Sequence, residues 1–376
     1  MHQAWEGLWN HSLVASITAF VATILLVVTL QPVARLVGWV DRPGGRKIHA
    51  VPTPLIGGLA IVLGALPAAI FTFEPTPRVV GFGLAALIVV AAGIIDDLVD
   101  LRWPYRLLAQ GAAALVLVYV GDVRIERIGP MFGGGIDELG VLSMPLTVIA
   151  TVGIINALNM ADGVDGLAGA MTVCALVMLT SAAVYSGNVR LSHGLVLLLG
   201  AVLAFLAFNM RTPWRSRAGV FLGDAGAEFR GLAIAWACFR LTQNDNHPVT
   251  PALAPFLVAP PIIDCLAVMI RRMTKGKSPF SADRNHLHHM MIDGGLRPTT
   301  VVVLMSVVSL AIGLGAALAL LAHTPAYWLM VAFVGLTLAY YMVSADRERC
   351  IRFFAWVALR VQGAPAGEPR KMLAAE

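Results

Sequence analysis

Charge is scarce in this 376-residue chain: Asp, Glu, Lys and Arg make up 13% of it, against about 25% in soluble domains. With 58% hydrophobic residues and a mean hydropathy of +0.78, the polar residues are too few to clothe a water-soluble globule. Cysteine is scarce as well. The four present, Cys174, Cys238, Cys265 and Cys350, lie far apart, three of them inside apolar runs, which speaks against a disulfide framework or a zinc cluster and suits small buried hydrophobes. The first apolar run is too long and too poorly flanked for a cleavable signal and is expected to be a permanent span.

Long apolar runs are what the chain has in abundance. A window of about 19 residues places spans at 12–38, 55–73, 79–95, 107–121, 141–157, 167–186, 192–209, 225–242, 252–270, 300–322 and 326–343, eleven crossings in all. Lys and Arg are retained on the cytoplasmic side. With the N-terminus outside, twenty-one basic residues fall inside and only Arg78, Arg124, Arg127 and Arg190 outside, with Arg230 and Arg240 left within a span. The expected fold is therefore an all-α polytopic membrane protein, N-terminus out and C-terminus in. Residues 1–343 form the membrane domain and 344–376 a cytoplasmic tail, in which "DRERCIRFFAWVALRV" (346–361) reads as an interfacial amphipathic helix that anchors rather than recruits a partner.

This orientation sorts the polar segments. "DRPGGRKIHAVPTPLIGG" (41–58), "GIIDDLVDLRWPYR" (93–106), "NALNMADGVDGLAG" (156–169), "NMRTPWRSRAGVFLGDAG" (209–226) and "RRMTKGKSPFSADRNHLHH" (271–289) all face the cytoplasm. Outside lies "GDVRIERIGPMFGGGIDELG" (121–140), whose alternating Val123, Ile125 and Ile128 and triple glycine suggest a small hairpin with a flexible turn. Five polar segments facing one way imply one shared cytoplasmic cleft.

The cleft would hold the adjacent acids Asp96 and Asp97, the Asn159, Asp162 and Asp165 group, Asp224, and a histidine cluster with basic neighbours. Acids at the C-terminal end of a helix face the negative end of its dipole, so a cation is expected beside them. Oxygen ligands from Asp and Asn suit Mg²⁺, which binds through one or two carboxylates and substrate phosphates, with Mn²⁺ as the alternative. The basic residues would hold those phosphates. The chemistry suggested is phosphoryl transfer, which depends on positioning and charge neutralisation. Simpler readings compete. Asp162, Asp165 and Asp224 suit helix caps, a histidine-rich loop is often only solvated, and Asp264, inside the ninth span, reads as structural support near Arg271.

"RKIHAVPTPLIGG", "GIIDDLVDLRW", "NALNMADGVDGLAG", "VFLGDAG" and "SPFSADRNHLHH", in this order at the ends of these spans, resemble the polyprenyl-phosphate N-acetylhexosamine-1-phosphate transferases. "NMADGVDG" and "HLHH" are similar to the branch that starts O-antigen and enterobacterial common-antigen synthesis. The branch acting on UDP-MurNAc-pentapeptide typically carries a lysine soon after the aspartate pair, and "DDLVD" has none. The resemblance implies a bacterial inner-membrane enzyme that transfers N-acetylglucosamine 1-phosphate from UDP-GlcNAc, or another UDP-N-acetylhexosamine, to undecaprenyl phosphate and releases UMP. It further implies Asn159 and Asp224 as Mg²⁺ ligands. Gly163, Asp165, Asn209 and Phe221 would form the uridine pocket, Lys47 and Arg106 would meet the lipid phosphate, and Arg284, His286, His288 and His289 would lie over the diphosphate and sugar.

Asp96, Asp97, Asp162 and His286 are the catalytic candidates, with the role of Asp97 open between base and positioning group. Monomer and homodimer both stay open, and no nucleic-acid partner is expected. After "GDAG" the chain departs from the family pattern at Ala227, Glu228, Phe229 and Arg230. A secondary transporter would share the span count but normally places polar residues at broken helices near the midplane. An inactive scaffold would be expected to have lost the acids.

Overall fold

In the membrane core every backbone polar group must be satisfied within the chain, which leaves helices as the economical solution for apolar runs of this length. The computed structural model describes residues 2–42, 51–130, 138–243, 249–279 and 284–363, and these are almost entirely helical. The helices are α1 (His2–Val37), α2 (Gly57–Thr72), α3 (Pro77–Val99), α4 (Trp103–Tyr119), α5 (Ser143–Met160), α6 (Leu167–Tyr185) and α7 (Val189–Asn209). They continue as α8 (Gly223–Thr242), α9 (Ala254–Leu257), α10 (Ala259–Thr274), α11 (Leu287–Asp293), α12 (Pro298–Leu321), α13 (Ala326–Val343) and α14 (Arg347–Gln362). Among them, seven are long and apolar enough to cross a membrane, or eight if α9 and α10 count as one bent span.

Two differences from the sequence expectation stand out. The single span expected at 252–270 is broken, with the Pro251–Leu257 segment meeting α10 at 86°. Pro255, Pro260 and Pro261 lack the N–H groups that would carry one helix through this stretch. The second concerns α8, which is not among the seven because it carries Asp224, Glu228, Arg230 and Arg240, yet it is buried along nearly its whole length. It sits at the centre of the bundle against α2, α3, α5 and α6, so its polar groups meet protein rather than lipid.

Small residues let the backbones come this close. A Cβ on Gly58 of α2 would lie 2.2 Å from Gly226 of α8, and one on Gly93 of α3 would lie 2.4 Å from Ala225. A short antiparallel pair, β1 (Val40–Asp41) with β2 (Thr53–Pro54), leads into α2. Phe221 N donates to Pro54 O at 2.8 Å and Gly57 N to Phe221 O at 2.9 Å, which fixes the entry to α8 beside the entry to α2. Of the expected outer hairpin, one antiparallel bridge, Arg127 with Glu138, is described; its glycine-rich turn lies outside the described residues. A second, smaller apolar cluster joins α6, α11 and α12 through Leu167, Met171, Met291, Val301 and Met305, and Phe354 and Val357 of α14 pack against it.

Candidate active site

The last turn of α3, the first turns of α4 and α8, and the last turn of α5 converge at one end of the bundle. Asp96 and Asp97 lie inside α3, which ends at Asp100 in the left-handed region at φ 54°. Asp96 is pinned: its Oδ1 accepts from Leu101 N at 2.7 Å and its Oδ2 from Arg106 Nη1 at 3.0 Å. Asp97 Oδ1 accepts from Asp224 N at 2.8 Å, while its Oδ2 is enclosed without a hydrogen-bond partner among the described residues. Gly223 makes room for that oxygen. It adopts φ +73°, and a Cβ there would fall 2.6 Å from Asp97 Oδ2, so both the backbone and the space require glycine.

Asp224 does not cap α8, whose start carries no side-chain cap. Its Oδ1 instead faces Asn159 Nδ2 at 3.3 Å and Arg106 Nη1 at 3.8 Å. Asp165 is likewise no cap for α6; its Oδ2 accepts from Arg211 Nε at 2.7 Å and Ala218 N at 3.2 Å. Asn209 ties the neighbouring loops together, accepting from Gly166 N and donating to Val220 O, both at 2.9 Å. Phe221, next after Val220, is half-buried.

Asp162 sits in the α5–α6 connection, where desolvation by the surrounding protein lifts its carboxyl above the usual range against the opposing pull of Arg230. Its side chain still keeps 29% exposure, with Arg230 Nη2 at 4.0 Å. Gly163 beside it allows His288 to approach; a Cβ there would lie 2.4 Å from His288 Nε2.

The histidines divide by environment. His286 is buried, its Nδ1 2.7 Å from Asp264 Oδ2 and its Nε2 3.4 Å from Arg272 Nη2. Asp264 also accepts from Leu287 N at 3.0 Å and from the Tyr340 hydroxyl. Asp264 is structural support, as expected, with His286, Leu287 and Tyr340 as its hydrogen-bond partners in place of Arg271. Arg271 donates to Ser344 at 2.6 Å, and Asp264 anchors the histidine loop. The two residues are seven positions apart, about two turns on one helix, whereas the loop after α10 brings His286 back onto the acid.

His288 is buried beside His289, ring centroids 4.2 Å apart, and burial pushes its imidazole down to about 3. His289 is half-buried and lowered by burial and then by Arg284. Arg284 pairs with Asp293 at 3.2 Å, and Asp293 also pairs with Arg347 of α14. Lys47 lies outside the described residues.

No group of three or more His, Cys, Asp or Glu among the described residues is arranged to enclose a metal ion by itself. The sequence reading passed over Gln110 and Asn156, and flagged Glu228 and Arg230 without giving them a role. Arg230 Nη2 donates to Leu158 O at 2.7 Å at the end of α5, and Glu228 Oε1 accepts from Gln110 Nε2 at 3.0 Å. The available signal was a lone Gln one turn after Arg106 in an apolar helix.

Residues 79–242, which run from the first turn of α3 to the end of α8 and include their acids, match the family described as Glycosyl transferase family 4. Undecaprenyl-phosphate alpha-N-acetylglucosaminyl 1-phosphate transferase of Escherichia coli O157:H7 is 30% identical over 358 residues, covering 94% of this chain and 96% of the relative. The protein of the same name from Haemophilus influenzae is 30% identical over 290 residues, covering 77% and 82%. That from Salmonella typhi is 28% identical over 347 residues, covering 92% and 94%. Likeness over 96% of the Escherichia coli relative, at 30% identity, makes the chain a membrane transferase belonging to glycosyl transferase family 4.

Proposed function

We propose that the protein transfers N-acetylglucosamine 1-phosphate from UDP-GlcNAc to undecaprenyl phosphate, forming undecaprenyl-diphospho-GlcNAc and releasing UMP. The observation that carries the reading is the meeting of Asp96, Asp97, Arg106, Asn159 and Asp224 at one end of an apolar bundle, next to an apolar recess. A cavity of about 770 Å³ opens between α4, α5, α8, α10 and α13, lined by Leu107, Ile149, Val152, Cys238, Ile262 and Phe333 among others. Leu107 adjoins Arg106, so a polyprenyl chain lying in the cavity would carry its phosphate to the guanidinium. The names of the relatives support undecaprenyl phosphate as the acceptor and N-acetylglucosamine 1-phosphate as the group transferred.

In this reading an oxygen of the lipid phosphate attacks the β-phosphorus of the nucleotide sugar. The new P–O bond forms as the bond to the α-phosphate bridge breaks, and UMP departs with that oxygen. Arg106 orients the attacking phosphate while Asp96 holds the guanidinium in place. Asp165 and Asn209 shape the loops that would take uracil, and Asp162 with His289 faces the sugar diphosphate.

The oxygen-rich donor set fits a hard divalent cation. Asp97 Oδ2 is an enclosed acceptor without a partner among the described residues, and Asp224 lies beside it. Asn159 and Asp224 would hold Mg²⁺ jointly with substrate phosphates and water, as this ion usually binds. Bound there, the ion would neutralise charge on the diphosphate.

The twenty-one-to-four distribution of basic residues supports a cytoplasmic site in a bacterial inner membrane, with eleven crossings when α2, α4, α8 and the bent α9–α10 pair are counted. Phe353, Trp356, Leu359 and Val361 of α14 are exposed and suit the headgroup boundary. A transporter reading is disfavoured because the break at Val258 is walled by apolar residues and carries no charge. The test is detergent-purified protein with undecaprenyl phosphate, Mg²⁺ and either UDP-GlcNAc or UDP-GalNAc, with UMP as readout. UMP release with UDP-GlcNAc alone supports the reading. Release with UDP-GalNAc alone moves the sugar assignment, and release with neither refutes it.

A further inference from the structure

Three helices each carry two polar residues about a turn apart. On α4 they are Arg106 and Gln110, on α5 Asn159 and Asn156, and on α8 Asp224 and Glu228. Residues three or four apart share a helix face, so the three pairs form two stacked layers. The upper layer, Arg106, Asn159 and Asp224, belongs to the site described above. The lower layer bonds to itself. Asn156 Nδ2 donates to Gln110 Oε1 at 2.6 Å and to Val152 O at 2.8 Å, and Gln110 Nε2 donates to Glu228 Oε1 at 3.0 Å.

Gln110 is 1% exposed and Glu228 is fully enclosed, so the bond between them forms in low dielectric, away from competing water. Glu228 Oε2 has no partner among the described residues. Apolar side chains would fill this place without the cost of burying a carboxylate and an amide. What they would not supply is direction. α4 and α8 pack mainly on α3 and α5, and the Gln110–Glu228 bond links them directly. An apolar contact tolerates a small helix rotation or slip, whereas a hydrogen bond weakens steeply with angle and distance. Because each lower residue shares a face with an upper one, fixing the lower layer fixes the upper.

We infer that Gln110, Asn156 and Glu228 are positioning residues, a hydrogen-bonded key one turn beneath the site that sets the rotation and register of α4, α5 and α8 and so the spacing of Arg106, Asn159 and Asp224. The inference rests on the proposed reaction for its kinetic consequence. Uridine contacts lie on the α6–α7 side, so loss of the key should act on turnover and cation affinity and leave nucleotide-sugar binding nearly untouched.

The test compares Gln110→Leu, Glu228→Leu, the double variant and Glu228→Gln, reading kcat and KM for UDP-GlcNAc, Mn²⁺ affinity by electron paramagnetic resonance, and thermal unfolding in detergent. Either leucine variant should lower kcat by about thirtyfold, keep KM within about twofold, and weaken Mn²⁺ binding by about fivefold. The double variant replaces both partners with apolar groups and should regain wild-type thermal stability without regaining turnover. Glu228→Gln keeps an acceptor for Gln110 and should restore at least about a third of the wild-type kcat.

A double variant with wild-type kcat and Mn²⁺ affinity would show that the layer only fills space, and overturn the inference. If the wild type binds Mn²⁺ but releases no UMP, the transferase reading falls alone. The Mn²⁺ shifts across the variants then decide the key, and unchanged affinity refutes it. A wild type that neither turns over nor binds Mn²⁺ overturns both.

Discussion

Asp224 Oδ1 is shared by two donors, the Asn159 amide at 3.3 Å and the Arg106 guanidinium at 3.8 Å. Neither contact is short, which leaves the oxygen able to take a stronger partner. Asp224→Asn removes the charge while keeping the shape, and α8 loses no cap because the side chain makes none. The variant should insert and fold as the wild type does and lose at least about two orders of magnitude in rate, or about 2.7 kcal/mol. It should also need more Mg²⁺ for half-maximal turnover. UMP release titrated against Mg²⁺ checks both, and an unchanged titration would move the cation toward Asp96, Asp97 and Asp162.

His288 offers a second test at this scale. Its pKa falls from an unfolded value of 6.5 to about 3, so between these limits the unfolded chain binds the extra proton and stability declines as pH falls. The contribution is fully present above pH 6.5 and would fall by up to about 1.4 kcal/mol per pH unit on acidification. Thermal unfolding between pH 6.5 and 4.5 should show this slope in the wild type and a shallower one in His288→Asn. Equal slopes would mean that the imidazole is solvated.

Among the elements, the spans were legible from apolar runs, and α6, α7 and α13 match expectation to within a few residues. The acids at the ends of α3, α5 and α8 were legible too, because a carboxylate at a span boundary is conspicuous. What local pattern did not reveal was pairing across distance. Asp264 sat seven residues from a visible cation, yet its partners His286 and Tyr340 come from later segments. The burial of α8 could not be read from its own composition, since only its neighbours shield it. Gln110 and Asn156 looked like isolated polar residues until Glu228 placed them in one layer.

The α11–α14 contact makes its own prediction. Asp293 joins Arg284 to Arg347, and both arginines are partly solvated, 42% and 40% exposed, so each ion pair contributes no more than about 1 kcal/mol. Asp293→Ala should therefore raise KM for the nucleotide sugar about two- to fivefold with little change in unfolding temperature. A KM equal to wild type would show that Arg284 needs no brace.

For the whole molecule, all four cysteines are free and buried, giving a quiet background for labelling. Lys277 follows α10 and Arg190 opens α7, and both are exposed. With the proposed orientation, Arg190→Cys should react with an impermeant maleimide on intact spheroplasts, and Lys277→Cys only after permeabilisation. The reverse pattern would place the site on the other face of the membrane.

Helix α14 reaches back to α11 and the turn after it through Arg347 on Asp293, Phe354 against Gly294, and Gln362 accepting from Arg297 N at 3.1 Å. Ribosomes add about 5–20 residues per second and segments fold as they emerge, so the acids of α3, α5 and α8 are in the membrane seconds before these contacts can form. Chain order thus predicts a stage of synthesis with the carboxylates of α3 and α8 in place and the histidine segment unbraced. Biogenesis would supply a delay of its own: α14, made after α3 to α8, would brace a candidate site whose carboxylates those helices already carry.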